Sequence, residues 1–304
     1  MKSILDERSK QLIRQYFNID PDSEIFSPLI DYTFKRIFTA DEKHSKIALM
    51  HFLNSILEIE GNNTVVDLTV INPQIPVDVK KRKKSIFDIR IRFNDGEQAI
   101  VEMQLNKSYD FKKRSQFIIS KSYTSQPIAG SNYNALKKCY LICITNFVLL
   151  ENKPEFIKDY RFRDREGNDL SDDETIIFME LPKIDALLGK PVSKMTNIEM
   201  WAIFFRYVTD KSKRNILRKI INREEGIKMA VKILDEISKS EEERIQYENE
   251  LIFDLDTRSN IDGAKREEKL EIAQNFLKLG ISAEQISKGT GLSLEEIKKI
   301  KTNN

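Results

Sequence analysis

The chain has 304 residues, 50 Lys and Arg against 48 Asp and Glu, and a formal net charge of +2. That near-balance excludes a protein whose whole surface is a polycation, so any basic surface for nucleic acid must be local. Two cysteines, Cys139 and Cys143, lie in an apolar run that reads as a buried strand, which argues against a disulfide framework or a zinc cluster and fits a reducing compartment. The N-terminal MKSILDERSK lacks the apolar core of a signal peptide and no run reaches membrane-spanning length. A soluble cytoplasmic protein with no membrane partner is expected.

Residues 1–25 are mixed and polar, with a short helix expected over 4–17. Residues 29–57 carry apolar side chains at helical spacing: Phe34, Ile37 and Phe38, then Ile47, Leu49, Met50, Leu53, Ile56 and Leu57. They read as two helices broken at 39–41 and stopped at Gly61-Asn62-Asn63. Residues 64–71 read as a strand, and Pro73 and Pro76 then break the chain before a basic run at 80–84 that contains Lys83 and Lys84. Such a run is either a solvated loop or part of a positive cleft for a phosphate backbone, shared with Arg90, Arg92, Lys107, Lys112, Lys113 and Arg114.

Residues 87–105 are the centre of the chain. Phe87, Ile89, Ile91 and Phe93 alternate with Asp88, Arg90 and Arg92; after Asn94-Asp95-Gly96, the apolar Ala99, Val101, Met103 and Leu105 alternate with Gln98, Glu102 and Gln104. Ile100 is the exception. A two-residue loop would set Asp88 opposite Met103, whereas a three-residue loop ending on a left-handed Gly96 sets Asp88 opposite Glu102 and gathers both apolar rows on one face. The longer loop is expected. Opposed carboxylates repel unless something neutralises them. Two carboxylates and a nearby backbone carbonyl would suit Mg²⁺ or Mn²⁺. From alternation alone, the blander alternative is favoured: solvent-facing acids balanced by Arg90, Arg92 and Lys107.

Residues 109–125 read as a helix in which Tyr123 is a core aromatic and Arg114 a surface charge. Residues 138–144 form a continuous apolar run, expected as a central strand. Residues 160–173 are loop-like and 175–181 a further strand, so a mixed sheet in an α/β or α+β core is expected. Beyond residue 197 only helices are expected: one over 198–208 around Trp201, a charged helical linker over 209–268, an amphipathic helix over 270–277 stopped at Gly280, and two helices opened by the capping boxes Ser282-x-x-Gln285 and Ser293-x-x-Glu296. This tail is read either as a DNA-recognising helix-turn-helix or, more commonly for short helical hairpins, as a packing element.

Asp88, a short loop, then Glu102-Met103-Gln104 resembles the PD-(D/E)XK nuclease superfamily, with Gln in the lysine position. The upstream Asp31-Tyr32-Thr33-Phe34-Lys35-Arg36-Ile37-Phe38 and the downstream Lys113-Arg114 and Tyr123 resemble its Rpn-type recombination-promoting branch, also described as transposases. The resemblance covers roughly residues 26–300. It implies a nuclease-like catalytic domain over 26–208 after the segment 1–25, followed by the linker over 209–268 and a helical module over 269–304. It implies a Mg²⁺- or Mn²⁺-dependent DNA endonuclease of low sequence specificity. Asp88, Glu102 and the Met103 carbonyl would be the ligands, with Asp31 as a further ligand or support; the residues alone favour Asp31 capping its helix or pairing with Lys35 four residues on.

In that picture Gln104 orients the attacking water or touches the phosphate, and Arg114 and Tyr123 join the DNA contacts. The sequence contains no phosphate loop of the G-x-x-x-x-G-K-[ST] type and no H-E-x-x-H. His44 and His51, two helical turns apart, read as structural, and no organic cofactor is expected. The partner is DNA, and a double-strand cut by one-site subunits would favour a homodimer. Two other classes remain: a DNA-binding protein without useful catalysis, and a helical interaction or oligomerisation protein.

Overall fold

The computed structural model describes residues 3–40, 42–61, 64–71, 88–126 and 132–302. The basic run with Lys83 and Lys84 lies outside them, as do Phe87 and the prolines at 73 and 76. The chain forms two units, Met1–Ile252 and Phe253–Asn304.

The first unit is built on a six-stranded mixed sheet of order β1-β2-β3-β4-β6-β5. Its strands are β1 (Leu68–Ile71), β2 (Ile89–Phe93), β3 (Gln98–Gln104), β4 (Cys139–Thr145), β5 (Ile157–Arg163) and β6 (Asp169–Glu180). The neighbours β3–β4 and β4–β6 are parallel and the remaining pairs antiparallel. A parallel centre is covered on both faces, which is why β4 is apolar throughout and shows no alternation. The same covering changes the hairpin: Gln98 and Glu102, on the polar row of β3, are buried along with the apolar row.

On one face lies α4 (Phe111–Thr124), whose Phe111, Ile118 and Ile119 pack with Ile100, Leu141, Cys143 and Phe178. Helices α1 (Glu7–Phe17), α2 (Asp31–Thr39) and α3 (Glu42–Ile56) precede the sheet, and α5 (Asn197–Tyr207) follows it. Phe38, Phe52, Trp201 and Phe205 of α2, α3 and α5 form one aromatic cluster with ring centroids 5.4–6.5 Å apart. This cluster fixes α2, which also reaches β3.

Two expectations are corrected. Residues 160–173 are not a loop but most of a hairpin, closed by Asp164 to Asn168 around a left-handed Gly167 at φ 92°. Strand β5 is an edge strand exposed over most of its length, so no apolar face marks it. The first part of residues 209–268 is also not a linker: α6 (Arg214–Arg223) and α7 (Glu225–Ser238) bury Leu217, Ile220, Ile227, Ala230, Ile233 and Leu234 in the first unit.

Helix α8 (Glu241–Lys278) contains the division between the units and absorbs residues 270–277, expected as a separate helix. In the second unit Ala273, Ile286, Leu292 and Ile297 form a small core joining α8 to α9 (Ala283–Thr290) and α10 (Leu294–Thr302). Both expected capping boxes form: Ser282 with Gln285, and Ser293 with Glu296. No helix among the described residues is long and apolar enough to cross a membrane.

Candidate active site

The β2–β3 ladder pairs Ile89 with Val101 and Arg92 with Gln98. Phe93 donates to the Glu97 carbonyl at 2.9 Å and Gly96, at φ 91°, donates to the Phe93 carbonyl at 3.0 Å. This is the three-residue loop. One step past the ladder's last pair, the register sets Asp88 against Glu102, and Asp88 Oδ2 accepts the Met103 N–H at 2.7 Å. A side chain thereby takes over from the ladder where β2 begins, and it fixes the carboxyl against β3.

Glu102 is 3 % exposed and accepts from Arg114 Nη2 at 3.1 Å. Arg114 is held in turn over the Phe111 ring, 5.1 Å from its centroid, while its Nε is buried without a hydrogen-bond partner. Asp31 opens α2. Its Oδ2 takes the Lys35 ammonium at 2.5 Å, and its Oδ1 is buried with no hydrogen-bond partner. Lys35 Nζ also stands 3.9 Å from Asp88 Oδ1. The helix is clamped from behind: Glu243 accepts from Arg36 Nη2 at 2.6 Å and Nε at 3.2 Å, and from the Tyr32 hydroxyl.

Burial, then the charges of Asp31 and Glu102, pushes the Asp88 carboxyl well above the usual carboxylate range, against the pull of Lys35 and the Met103 N–H. Burial also pushes Glu102 up, with Arg114 opposing it. Burial works to lower Lys35, but the hydrogen bond and charge of Asp31, with the charges of Asp88 and Glu250, together outweigh it and Lys35 is raised. Three acids are therefore gathered near two cations, in a setting that disfavours the charge of Asp88 and Glu102. An added cation reverses that disfavour.

The donor chemistry fits a hard divalent ion: carboxylate oxygens, one of them orphaned at Asp31, beside the β3 backbone. Among the described residues no group of three His, Cys, Asp or Glu side chains could hold a metal ion as it stands. Lys35 is the cation at the Asp31–Asp88 side of the site. Glu180, by contrast, is a buried acid already engaged on both oxygens, by the Leu149 and Leu150 N–H groups and by Lys183.

The other expected residues divide. Gln104 is half-buried at the end of β3, on the face that carries Glu102, and its carbonyl receives the Asn146 N–H at 3.0 Å. Arg92 and Lys113 are exposed. Arg90 does not suit a DNA contact: it is 8 % exposed and donates to Gln98 Oε1 at 2.9 Å. Arg114 faces Glu102 instead of standing as a free surface charge. Tyr123 donates to Asp173 Oδ2 at 3.3 Å and packs at the Cys139 end of the core. Cys139 pairs with Gln98, four residues and about 13 Å along β3 from Glu102, so Tyr123 stands apart from the carboxylates.

The histidines keep their own partners: His51 Nδ1 is 2.8 Å from Glu224 Oε1, and His44 Nε2 is 3.1 Å from Lys232 Nζ. Lys35 is the residue that sequence reasoning missed. Its spacing from Asp31 was visible as an i,i+4 pair, but nothing in the sequence places it beside Asp88.

Residues 28–264 match the model of the PD-(D/E)XK nuclease family transposases, and residues 266–302 match the Rpn/YhgA-like nuclease family, C-terminal HTH domain. No curated protein and no solved structure matches the chain.

Proposed function

Because the chain belongs to the PD-(D/E)XK nuclease family transposases, with an Rpn/YhgA-like C-terminal HTH domain, we propose that it is a metal-dependent DNA endonuclease acting at Asp88 and Glu102. The observation that carries this reading is the hairpin register, which presents the two carboxyls together and pins Asp88 on the Met103 N–H. Asp88 and Glu102 would hold Mg²⁺ or Mn²⁺, helped by the Met103 carbonyl and the unpartnered Asp31 oxygen. Such an ion supplies neutralisation of the phosphate and an acidified water.

The chain's own groups do the rest. Gln104 is a neutral donor and acceptor, suited to orienting the attacking water or a phosphate oxygen but carrying no charge. Lys35 supplies the positive charge that Gln104 lacks, from α2 instead of from β3, and it would turn from Asp31 to the phosphate when a metal ion takes the acids. Arg114 holds the Glu102 carboxylate in place. Arg92 and Lys113, with Lys83 and Lys84, are assigned to the phosphate backbone, and the helix-turn-helix module to further DNA contacts. Promotion of recombination or DNA mobility and a low sequence preference belong to the same proposal.

The test is cleavage of supercoiled plasmid by the wild type in Mg²⁺ and in EDTA, beside Asp88→Ala and Glu102→Ala. Metal-dependent cleavage lost in both variants is expected. Cleavage that survives Asp88→Ala overturns the site. A wild type that retains DNA on a gel without cutting it leaves a DNA-binding protein whose acids are neutralised by Lys35 and Arg114 alone.

A further inference from the structure

Helix α4 buries Phe111, Ser115, Ile118, Ile119 and Ser122. Another of its faces carries a feature that its own folding does not need. Tyr109, just before the helix, is 107 % exposed and Phe117 is 58 % exposed. Lys113 lies between them in the sequence and Lys121 follows, with its ammonium 5.8 Å from the Phe117 centroid. Lys113, Phe117 and Lys121 recur every four residues of α4 and Tyr109 stands in the turn just ahead of it, so cation and ring alternate along one side of the helix with no acid among them. Arg114, next to Lys113, reaches from the same helix to Glu102.

We propose that this row is a stacking track for unpaired nucleotides, and that DNA with single-stranded segments is the substrate class delivered to the adjacent carboxylates. The second half rests on the nuclease reading; the binding half does not. Each step of four residues advances about 6 Å along the helix, so Phe117 lies about 6 Å along it from each of Lys113 and Lys121, with Tyr109 ahead of its first turn. A duplex stacks its bases about 3.4 Å apart and leaves no internal base face open to a ring. An unstacked strand offers both, a base face for each ring and a phosphate for each lysine. Stacking on exposed aromatics beside a basic track is how proteins hold single strands without reading their sequence.

The test uses the full chain in EDTA, so that binding is measured without cutting, and follows the anisotropy of a fluorescent thymidine oligonucleotide and of a duplex of equal length. Tyr109→Ala with Phe117→Ala is expected to weaken single-strand binding by about ten-fold or more and to leave duplex binding within about two-fold. Phe117→Trp in the Tyr109→Ala background is expected to restore part of the loss, which a merely disturbed fold would not allow. In Mg²⁺, a gapped or bubbled substrate is expected to be cut ahead of its fully paired counterpart, and the double variant to lose that preference.

Unchanged single-strand binding in the double variant overturns the inference. So does an equal loss on both DNAs, or a change in oligomeric state with DNA binding intact, which assigns the row to a protein contact. A wild type that cuts nothing but shows the single-strand loss sinks the nuclease reading and keeps the track. Cleavage with no change on substitution of the rings does the reverse.

Discussion

Asp88 is in conflict with its surroundings: a carboxyl held by burial and by two neighbouring acids where its charge is disfavoured, with a lysine 3.9 Å away and one backbone N–H to support it. Conflicts of this kind persist at functional sites because the partner that resolves them is supplied in use. If the partner is a divalent ion, adding it stabilises the fold by mass action, by about 2.7 kcal/mol at a hundred times its dissociation constant. Asp88→Asn keeps the size and the acceptor for the Met103 N–H but removes the charge. It is therefore expected to melt higher than wild type in EDTA and to gain nothing from Mg²⁺ or Mn²⁺, whereas wild type gains several degrees. Differential scanning fluorimetry with and without metal measures both. An equal gain in wild type and variant would place the ion elsewhere.

At the scale of elements, the contact between α3 and α7 shows how closely two helices are fitted behind the sheet. A Cβ added to Gly226 would stand 2.3 Å from His51 Cβ. Ala for Gly in an ordinary helix gains up to about 1 kcal/mol. Here the clash reverses the sign, and Gly226→Ala is expected to cost about 1–3 kcal/mol in urea unfolding. The glycine lets His51 reach the Glu224 carboxylate, which also caps α7 by accepting the Ile227 N–H at 2.8 Å.

The Glu224 hydrogen bond, against burial and with help from Glu225, raises the His51 pKa above its ordinary 6.5. A group raised in the fold contributes stability that is complete below its unfolded value and is lost as pH rises through the folded one. The melting-temperature gap between wild type and His51→Gln is therefore expected to be largest near pH 6 and to close above neutrality. Since the His51 side chain is 40 % exposed, solvent screening keeps the effect below about 1 kcal/mol. A gap that does not change with pH would remove the charge from this contact.

The same scale explains what could be read from the sequence. The β2–β3 register was legible because Asn94-Asp95-Gly96 admits few turns and a slip would have split the apolar rows. Strand β5 was not, because an edge strand exposed along most of its length carries no burial pattern. Helices α6 and α7 looked like a linker because their charged faces outweigh the narrow stripe that packs. Lys35 beside Asp88 is a tertiary meeting of α2 and the start of β2, and no local spacing encodes it.

On the proposed reading each chain presents one Asp88–Glu102 pair, so a single copy would have one cleaving centre, and a net charge of +2 makes any cationic surface for a duplex local. One centre breaks one phosphodiester bond per encounter, and a double-strand break then needs either two encounters or two copies. Supercoiled plasmid at low protein is accordingly expected to pass through the nicked circle before any linear form appears. If two copies cooperate, the initial rate of linear product should rise with about the square of protein concentration across a ten-fold range, while nicking rises linearly. Gel time courses over that range separate the two regimes. Linear DNA appearing without a nicked intermediate at the lowest concentration would mean that two centres already act together in a standing dimer, and one centre per working unit would then be the wrong count.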